Sequence, residues 1–147
     1  DSRDVEKARA ALEGSGLKTG TMSEGQLVVA LFEHFAEGKL IQPTFIYDFP
    51  ASVSPLSRKR TSDPWFVDRF ELFVGGKELA NAFSELNDPV DQKERFESQL
   101  EARADGDDEA HQMDEDYVCA LEHGMPPTGG FGFGAGKIFA EVANVFV

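Results

Sequence analysis

The chain has 147 residues and a formal net charge of -13 at pH 7. This length suits one domain with a single core, and the acidic balance argues against autonomous nucleic-acid binding, which depends on clustered Lys and Arg. The lone Cys119 excludes an internal disulfide, and no apolar run is long enough to span a membrane. Since the N-terminal stretch is too polar for a secretory leader, these features together predict a cytoplasmic protein.

Two helices are predicted before the first strand. Apolar and charged residues from Val5 to Leu12 follow a helical rhythm, which Gly14 and Gly16 end. A second helix opens at Ser23, whose side chain can cap it, with Gln26 as its capping-box partner. The apolar stripe of this helix comprises Leu27, Leu31 and Phe35, and Gly38 is expected to stop it.

A short strand and a loop come next. Residues Pro43 to Phe49 alternate as a strand, and the proline-punctuated segment 50–64 is predicted to be a loop. Its basic cluster, Arg58-Lys59-Arg60, is short and more typical of a solvated loop than of a nucleic-acid contact. Trp65 and Phe66 lead into the following strand and are predicted to lie in the core.

Gly75 and Gly76 separate two alternating segments, which is a signal for a two-residue hairpin because both turn positions can take positive φ. An unbroken register would place Phe73 opposite Glu78 and Glu71 opposite Ala80. The two glutamates would then be diagonal neighbours, roughly 7–8 Å apart on one face. Such a pair is most often solvated, but it could also bind Lys, Arg or a divalent cation such as magnesium.

Two more helices are predicted after the hairpin. Asp88 caps the first and Pro89 occupies its first position. This helix runs to about Ala104 and is polar, with only Val90, Phe96 and Leu100 available for packing. The acidic run 105–116 lacks the ligand spacing of a calcium loop. It is predicted to be a solvated loop, with Asp114 capping a second helix from Tyr117 to His123.

Four separated blocks carry a resemblance to a known family. They are PTFIYDFPASVSPLSRK, VDRFELFVGGKELANAFSELND, GDDEAHQMDEDYVCALEHGMPPT and the glycine run after it. In this order and spacing they resemble the C-terminal half of the catalytic domain of bacterial class II lysyl-tRNA synthetase, from about residue 23 to 134. The resemblance implies an α+β fold with an antiparallel sheet flanked by helices. It also implies a homodimeric enzyme that joins lysine to ATP before transfer to tRNA.

The resemblance also assigns roles to residues. Glu71 and Glu78 match the carboxylates that hold magnesium on the ATP phosphates, and Asn81, Phe83 and Glu85 match the lysine-binding group. Strict alternation, however, would put Asn81, Phe83 and Glu85 on the sheet face opposite Glu78. A β-bulge near Leu79 and Ala80 would resolve this conflict, because bulges re-aim side chains beside active sites.

The glycine run 129–136 matches neither a Walker A loop nor a dinucleotide-binding pattern. It resembles the strand of class II motif 3, where Gly132 and Gly134 would let ATP approach the backbone. Gly136 stands where that motif has Asp, and Lys137 stands where it has Arg. A lysine cannot reproduce the planar, bidentate contacts of an arginine.

These observations predict a partial class II catalytic domain, with an N-terminal helix and loop (1–22), a core (23–137) and a divergent C-terminal helix (138–147). The leading interpretation is a natural or engineered piece of a lysyl-tRNA synthetase that is inactive alone, since motifs 1 and 2 have no counterpart in the chain. The alternative is a degenerate synthetase-like module that binds lysine or a protein partner. An unrelated structural domain would not explain four ordered blocks. Removal of half a sheet would also favour self-association.

Overall fold

The computed structural model describes residues 4–104 and 113–138 of the chain. The helices are α1 (Val5–Gly14), α2 (Glu24–Phe35), α3 (Pro89–Ala104) and α4 (Glu115–Glu122). The strands are β1 (Thr44–Tyr47), β2 (Arg69–Val74), β3 (Lys77–Ser84) and β4 (Gly129–Phe133). All neighbouring strands pair antiparallel in the order β1-β2-β3-β4. This arrangement confirms the predicted α+β class.

The first two helices pack against each other around Ala8, Leu12, Leu27 and Ala30. The capping box at Ser23 is confirmed, because the Gln26 amide donates to the Ser23 hydroxyl and the Ser23 amide donates to the Gln26 side chain. The expected stop at Gly38 is wrong. Helix α2 ends at Phe35, and Gly38 lies within a separate 3-10 turn, Glu37–Lys39.

The β2–β3 hairpin turns at Gly75 and Gly76, whose φ angles of 63° and 73° lie in the left-handed region, as predicted. Phe73 pairs with Glu78, but Leu72 pairs with Ala80, so Leu79 is an extra residue in β3. The β-bulge predicted near Leu79 and Ala80 is therefore confirmed. The predicted pairing of Glu71 with Ala80 is wrong, since the bulge shifts the register and places Asn81 opposite Glu71.

Because directly paired residues share a face, the register divides the sheet into two chemically different faces. The site face carries polar groups and comprises Arg69, Glu71, Phe73, Glu78, Asn81 and Phe83. The aromatic face comprises Phe45, Tyr47, Phe70, Phe131 and Phe133. Helix α2 packs against the site face through an edge-on contact between Phe32 and Phe73, with ring centroids 5.4 Å apart.

Helix α3 packs differently from the prediction. Phe96 is buried, as expected, but Val90 and Leu100 are exposed, so they do not anchor the helix. Gln92 and Arg95 are buried as well, and their side chains donate hydrogen bonds to the loop 54–57, which the pattern of apolar residues does not predict. The Asp88 cap is confirmed, because its carboxylate accepts from the amides of Val90 and Asp91.

Two further predictions concern the aromatic pair before β2 and the N-terminal cap of α4. Trp65 and Phe66 are half-buried rather than core residues, because they stack edge-on against each other at the margin of the loop. The Asp114 cap of α4 is confirmed by its bond from the Tyr117 amide. Most of the acidic run (105–112) and most of the predicted C-terminal helix (139–147) lie outside the described residues.

None of the helices within residues 4–104 and 113–138 is long and apolar enough to cross a membrane.

Candidate active site

The site face is built around a buried ion pair on β2. Arg69 and Glu71 are two residues apart on one strand, so both side chains project to the same face and meet there. Arg69 also donates to the Ser54 hydroxyl at 3.1 Å and lies 4.6 Å above the Phe49 ring centroid. Burial raises the pKa of the Glu71 carboxyl, Arg69 opposes this, and the negative charge of Glu78 raises it further.

Glu78 is the more accessible of the two carboxylates and contacts Asn81 on β3 and Lys137, which lies beyond the end of β4. Its Oε1 accepts a bond of 3.3 Å from the Asn81 amide, and its Oε2 lies 3.8 Å from the Lys137 ammonium. Arg69 and Lys137 thus flank the two glutamates. Of the alternatives open from sequence, Lys or Arg beside the carboxylates is the one seen.

A cavity of about 540 Å³ lies between α2, the loop 49–55 and the hairpin. Glu71 and Glu78 both line it, together with Arg69, Phe49 and Phe73. Asn81, Phe83 and Glu85 do not line it. The bulge therefore places the predicted site residues on one sheet face, but of these residues only Glu71 and Glu78 line the cavity.

The donor set of this cavity can be tested against a magnesium ion. Within the part of the chain that the structure describes, no group of three or more His, Cys, Asp or Glu side chains is arranged to hold a metal. Magnesium usually takes only one or two protein carboxylates and completes its shell with phosphates and water. Glu71 and Glu78 fit that requirement, provided that phosphate oxygens supply further ligands.

Glu85 lies at the other end of the site face, beside β4. Its amide donates to the Thr128 carbonyl at 2.9 Å, and its side chain crosses Gly130, where an added Cβ would approach Glu85 Oε1 to 2.0 Å. Burial raises the pKa of the Glu85 carboxyl. Burial also raises the pKa of Tyr117 on α4, and the negative charge of Glu85 raises it further.

Strand β4 alternates between glycine and phenylalanine, and this alternation separates its faces. Gly130 pairs with Phe83 and Gly132 pairs with Asn81, whereas Phe131 and Phe133 point to the aromatic face. The site face of β4 at Gly130 and Gly132 is therefore bare backbone, which we call the glycine groove. It runs beside the three residues matched to lysine binding.

The remaining sequence candidates lie at the end of β4. Gly134 donates to the Leu79 carbonyl at 2.8 Å, which ties β4 to the bulge. An added Cβ on Gly134 would crowd Lys137, and one on Gly136 would meet nothing within 4 Å. Lys137 reaches the site face, but it approaches Glu78 rather than an open space.

Lys59 and Arg60 of the basic cluster are paired with acidic groups. Lys59 contacts Asp91 at 3.1 Å, and Arg60 contacts Asp48 at 2.7 Å and Asp68 at 3.1 Å. These ion pairs use the charges of Lys59 and Arg60 within the chain.

Three residues near the candidate groups were missed by sequence reasoning. Arg69 could have been found, because its two-residue spacing from Glu71 already predicts a shared face. Gly130 could have been found from the Gly-Phe alternation of β4. Tyr117 could not, since only the packing of α4 puts its pKa under the influence of the Glu85 charge.

Comparison with known proteins defines the family. A family model for class II tRNA synthetases (D, K and N) matches residues 6–145. This range is wider than the resemblance at residues 23–134, since it includes most of the N-terminal helix and continues past Lys137.

Curated relatives agree with this match. The lysine–tRNA ligase of Halalkalibacterium halodurans is 57% identical over 140 residues, which is 95% of this chain and 28% of that protein. The lysine–tRNA ligases of Shouchella clausii and Bacillus mycoides are 55% and 53% identical over 94% and 95% of the chain, again with 28% of each relative covered. The chain thus spans between a quarter and a third of its relatives' length. With the matched range and the antiparallel sheet, this shows that the chain belongs to the class II tRNA synthetase family (D, K and N).

Proposed function

We propose that this chain forms part of the catalytic domain of a lysine–tRNA ligase and holds part of its lysine and ATP site. The observation that carries the proposal is the bulge at Leu79, because it turns Asn81 and Phe83 to the face that bears Glu71 and Glu78. The relatives named lysine–tRNA ligase support lysine as the substrate.

Lysine would lie along the glycine groove. Asn81 would hold its carboxylate or α-amino group, Phe83 would pack on its methylenes, and Glu85 would pair with its ammonium. The raised pKa of Glu85 suits this role, because a carboxylate whose charge is poorly solvated gains more from a cation than one in water.

ATP would approach at Gly132 and Gly134, which carry no side chains of their own, and the flexible Lys137 side chain beside Gly134 would have to move aside. Glu71 and Glu78 would hold magnesium on its phosphates, and a bound magnesium would neutralise the charge of the phosphate chain. Arg69 and Lys137 would then exchange their carboxylate contacts for phosphate oxygens, which suit both cations.

Adenylation by this chain alone is not expected. Lys137 stands where the resemblance has an arginine, and its contact with Glu78 is long for a salt bridge. The 147 residues of this chain contain no counterpart of motifs 1 and 2. We also expect no binding of tRNA by the chain itself, because its net charge is -13 and Lys59 and Arg60 are already paired.

Titration calorimetry tests the lysine site. Lysine should give a saturable heat with the wild-type chain, and norleucine, which lacks the ammonium, should give none. Glu85→Ala should abolish the lysine heat, whereas Glu94→Ala, an exposed glutamate on α3, should preserve it. Equal heats for lysine and norleucine, or an unchanged heat in Glu85→Ala, would contradict the proposal.

Pyrophosphate exchange tests the absence of catalysis. Lysine-dependent exchange by the wild-type chain should not exceed that of Glu85→Ala. A clear excess would show that the chain activates lysine alone, and would make this part of the proposal wrong.

A further inference from the structure

Glu85 reaches its position only because β4 has no side chain beneath it. The carboxylate crosses Gly130, and a Cβ there would lie 2.0 Å from Oε1 and 3.1 Å from Cδ of Glu85. Real Cβ atoms do not approach other atoms so closely. The neighbouring glycine on the same strand differs, since a Cβ on Gly129 would meet only the Phe83 carbonyl oxygen, at 3.9 Å.

The backbone around Glu85 is fixed, so the side chain must absorb any conflict. Glu85 donates its amide to Thr128, and Phe83 pairs with Gly130 in the ladder. Among the described residues, Gly130 is not one of those with positive φ, so its backbone can accept alanine without strain. An alanine would therefore displace the flexible carboxylate end rather than disrupt the strand.

We propose that Gly130 is a positioning residue that determines the cation specificity of the site, because its bare backbone allows the Glu85 carboxylate to lie over β4 and face the ammonium of an amino-acid substrate. This inference rests on the proposed function for the identity of the ligand. The placement of Glu85 by Gly130 rests on the packing alone.

The test compares Gly130→Ala with Gly129→Ala in the full chain. Lysine should bind at least about tenfold more weakly to Gly130→Ala, as expected when a charge-assisted hydrogen bond is lost, and should bind normally to Gly129→Ala. Both variants should retain the melting temperature of the wild type. Shortening the acid in the Gly130→Ala, Glu85→Asp double variant should restore part of the binding, because the carboxylate withdraws from the new methyl group.

A second measurement does not require lysine. The carboxyl carbon of Glu85, followed by NMR, should titrate above its ordinary pKa in the wild type and in Gly129→Ala, and closer to the ordinary value in Gly130→Ala, where the displaced group becomes solvated. If the wild-type chain binds no lysine but this difference is present, the proposed function fails and the positioning role of Gly130 stands. If Gly130→Ala and Gly129→Ala titrate alike, or bind lysine alike when the wild type binds it, the inference is overturned.

Discussion

Arg69 and Glu71 illustrate how one ion pair can link stability to the candidate site. Both side chains are largely buried, at 21% and 12% exposure, so the charge of each is stabilised by the opposite charge of the other rather than by water. Removing one partner of such a pair leaves an uncompensated charge, which costs more than the pair itself contributes. The carboxylate would then also face the unshielded charge of Glu78, which already raises its pKa.

We expect Arg69→Met to lower the free energy of unfolding by about 2–4 kcal/mol at neutral pH. The folded-state pKa of Glu71 is raised, so its ionisation opposes folding: the stability is full below the ordinary carboxyl pKa and declines as pH rises through the folded value. The loss should therefore shrink at mildly acidic pH, where Glu71 becomes protonated. Urea denaturation at both pH values measures this.

Arg60→Met provides the control, because Arg60 forms ion pairs with Asp48 and Asp68 at the surface. Exposed pairs contribute about 0–1 kcal/mol, so this variant should change stability little. A loss for Arg69→Met that is the same at both pH values would contradict the explanation through Glu71.

At the scale of elements, a charged hydrogen-bond network also attaches helix α3 to the loop 54–57. Arg95 donates to both oxygens of Asp91, one turn earlier, and to the carbonyls of Ser54 and Ser57. Hydrogen bonding from Arg95 lowers the pKa of the Asp91 carboxyl, with a smaller contribution from Lys59. This network attaches the helix to the loop whose Ser54 also supports Arg69.

Asp91→Asn should reduce the free energy of unfolding by about 1–2 kcal/mol at neutral pH, since a charged hydrogen-bonded partner of Arg95 is lost. The folded pKa of Asp91 is depressed, so its contribution is present above the ordinary aspartate pKa and is lost as pH falls through the folded value. Wild type and variant should therefore converge in stability under acid. Glu94→Gln, at an exposed position of the same helix, should show no such convergence; an equal effect from it would contradict the assignment.

At the scale of the whole molecule, helix α2 packs against the site face of the sheet, whereas large side chains of the aromatic face are exposed. Exposures on the aromatic face are 58% for Phe45, 68% for Tyr47, 65% for Phe131 and 60% for Phe133. Strands β1 and β4 are the edges of this sheet. Apolar surface and open edges favour association, whereas a net charge of -13 opposes it through repulsion.

We expect the chain in isolation to self-associate, and more strongly at high salt, because salt screens the repulsion while leaving apolar burial favourable. Sedimentation velocity over a range of protein concentrations measures this. Replacing Phe131 and Phe133 with serine should weaken the association, whereas serine at Phe35 and Ile41, which are exposed elsewhere, should not. A monomer at all concentrations and salt levels would contradict the prediction.

The sequence by itself determined the local elements and the family. Ser23, Asp88 and Asp114 each cap the predicted helix, because capping depends on residues only two or three positions apart. Gly75 and Gly76 predicted the hairpin turn for a similarly local reason, because tolerance of positive φ is a property of glycine itself. The matched blocks predicted the family. They also predicted a bulge near Leu79 and Ala80, because the roles that the resemblance assigns to Glu78, Asn81 and Phe83 require these residues to share one sheet face.

Only the tertiary structure decided how these elements meet. The contact between Lys137 and Glu78 and the burial of Arg95 and Gln92 against the loop 54–57 depend on packing between segments far apart in the chain. The same holds for Gly130, whose importance lies in the side chain that crosses it rather than in its own backbone angle. Residue type and spacing set local geometry, but charge pairing and close approach are set by which surfaces fold together.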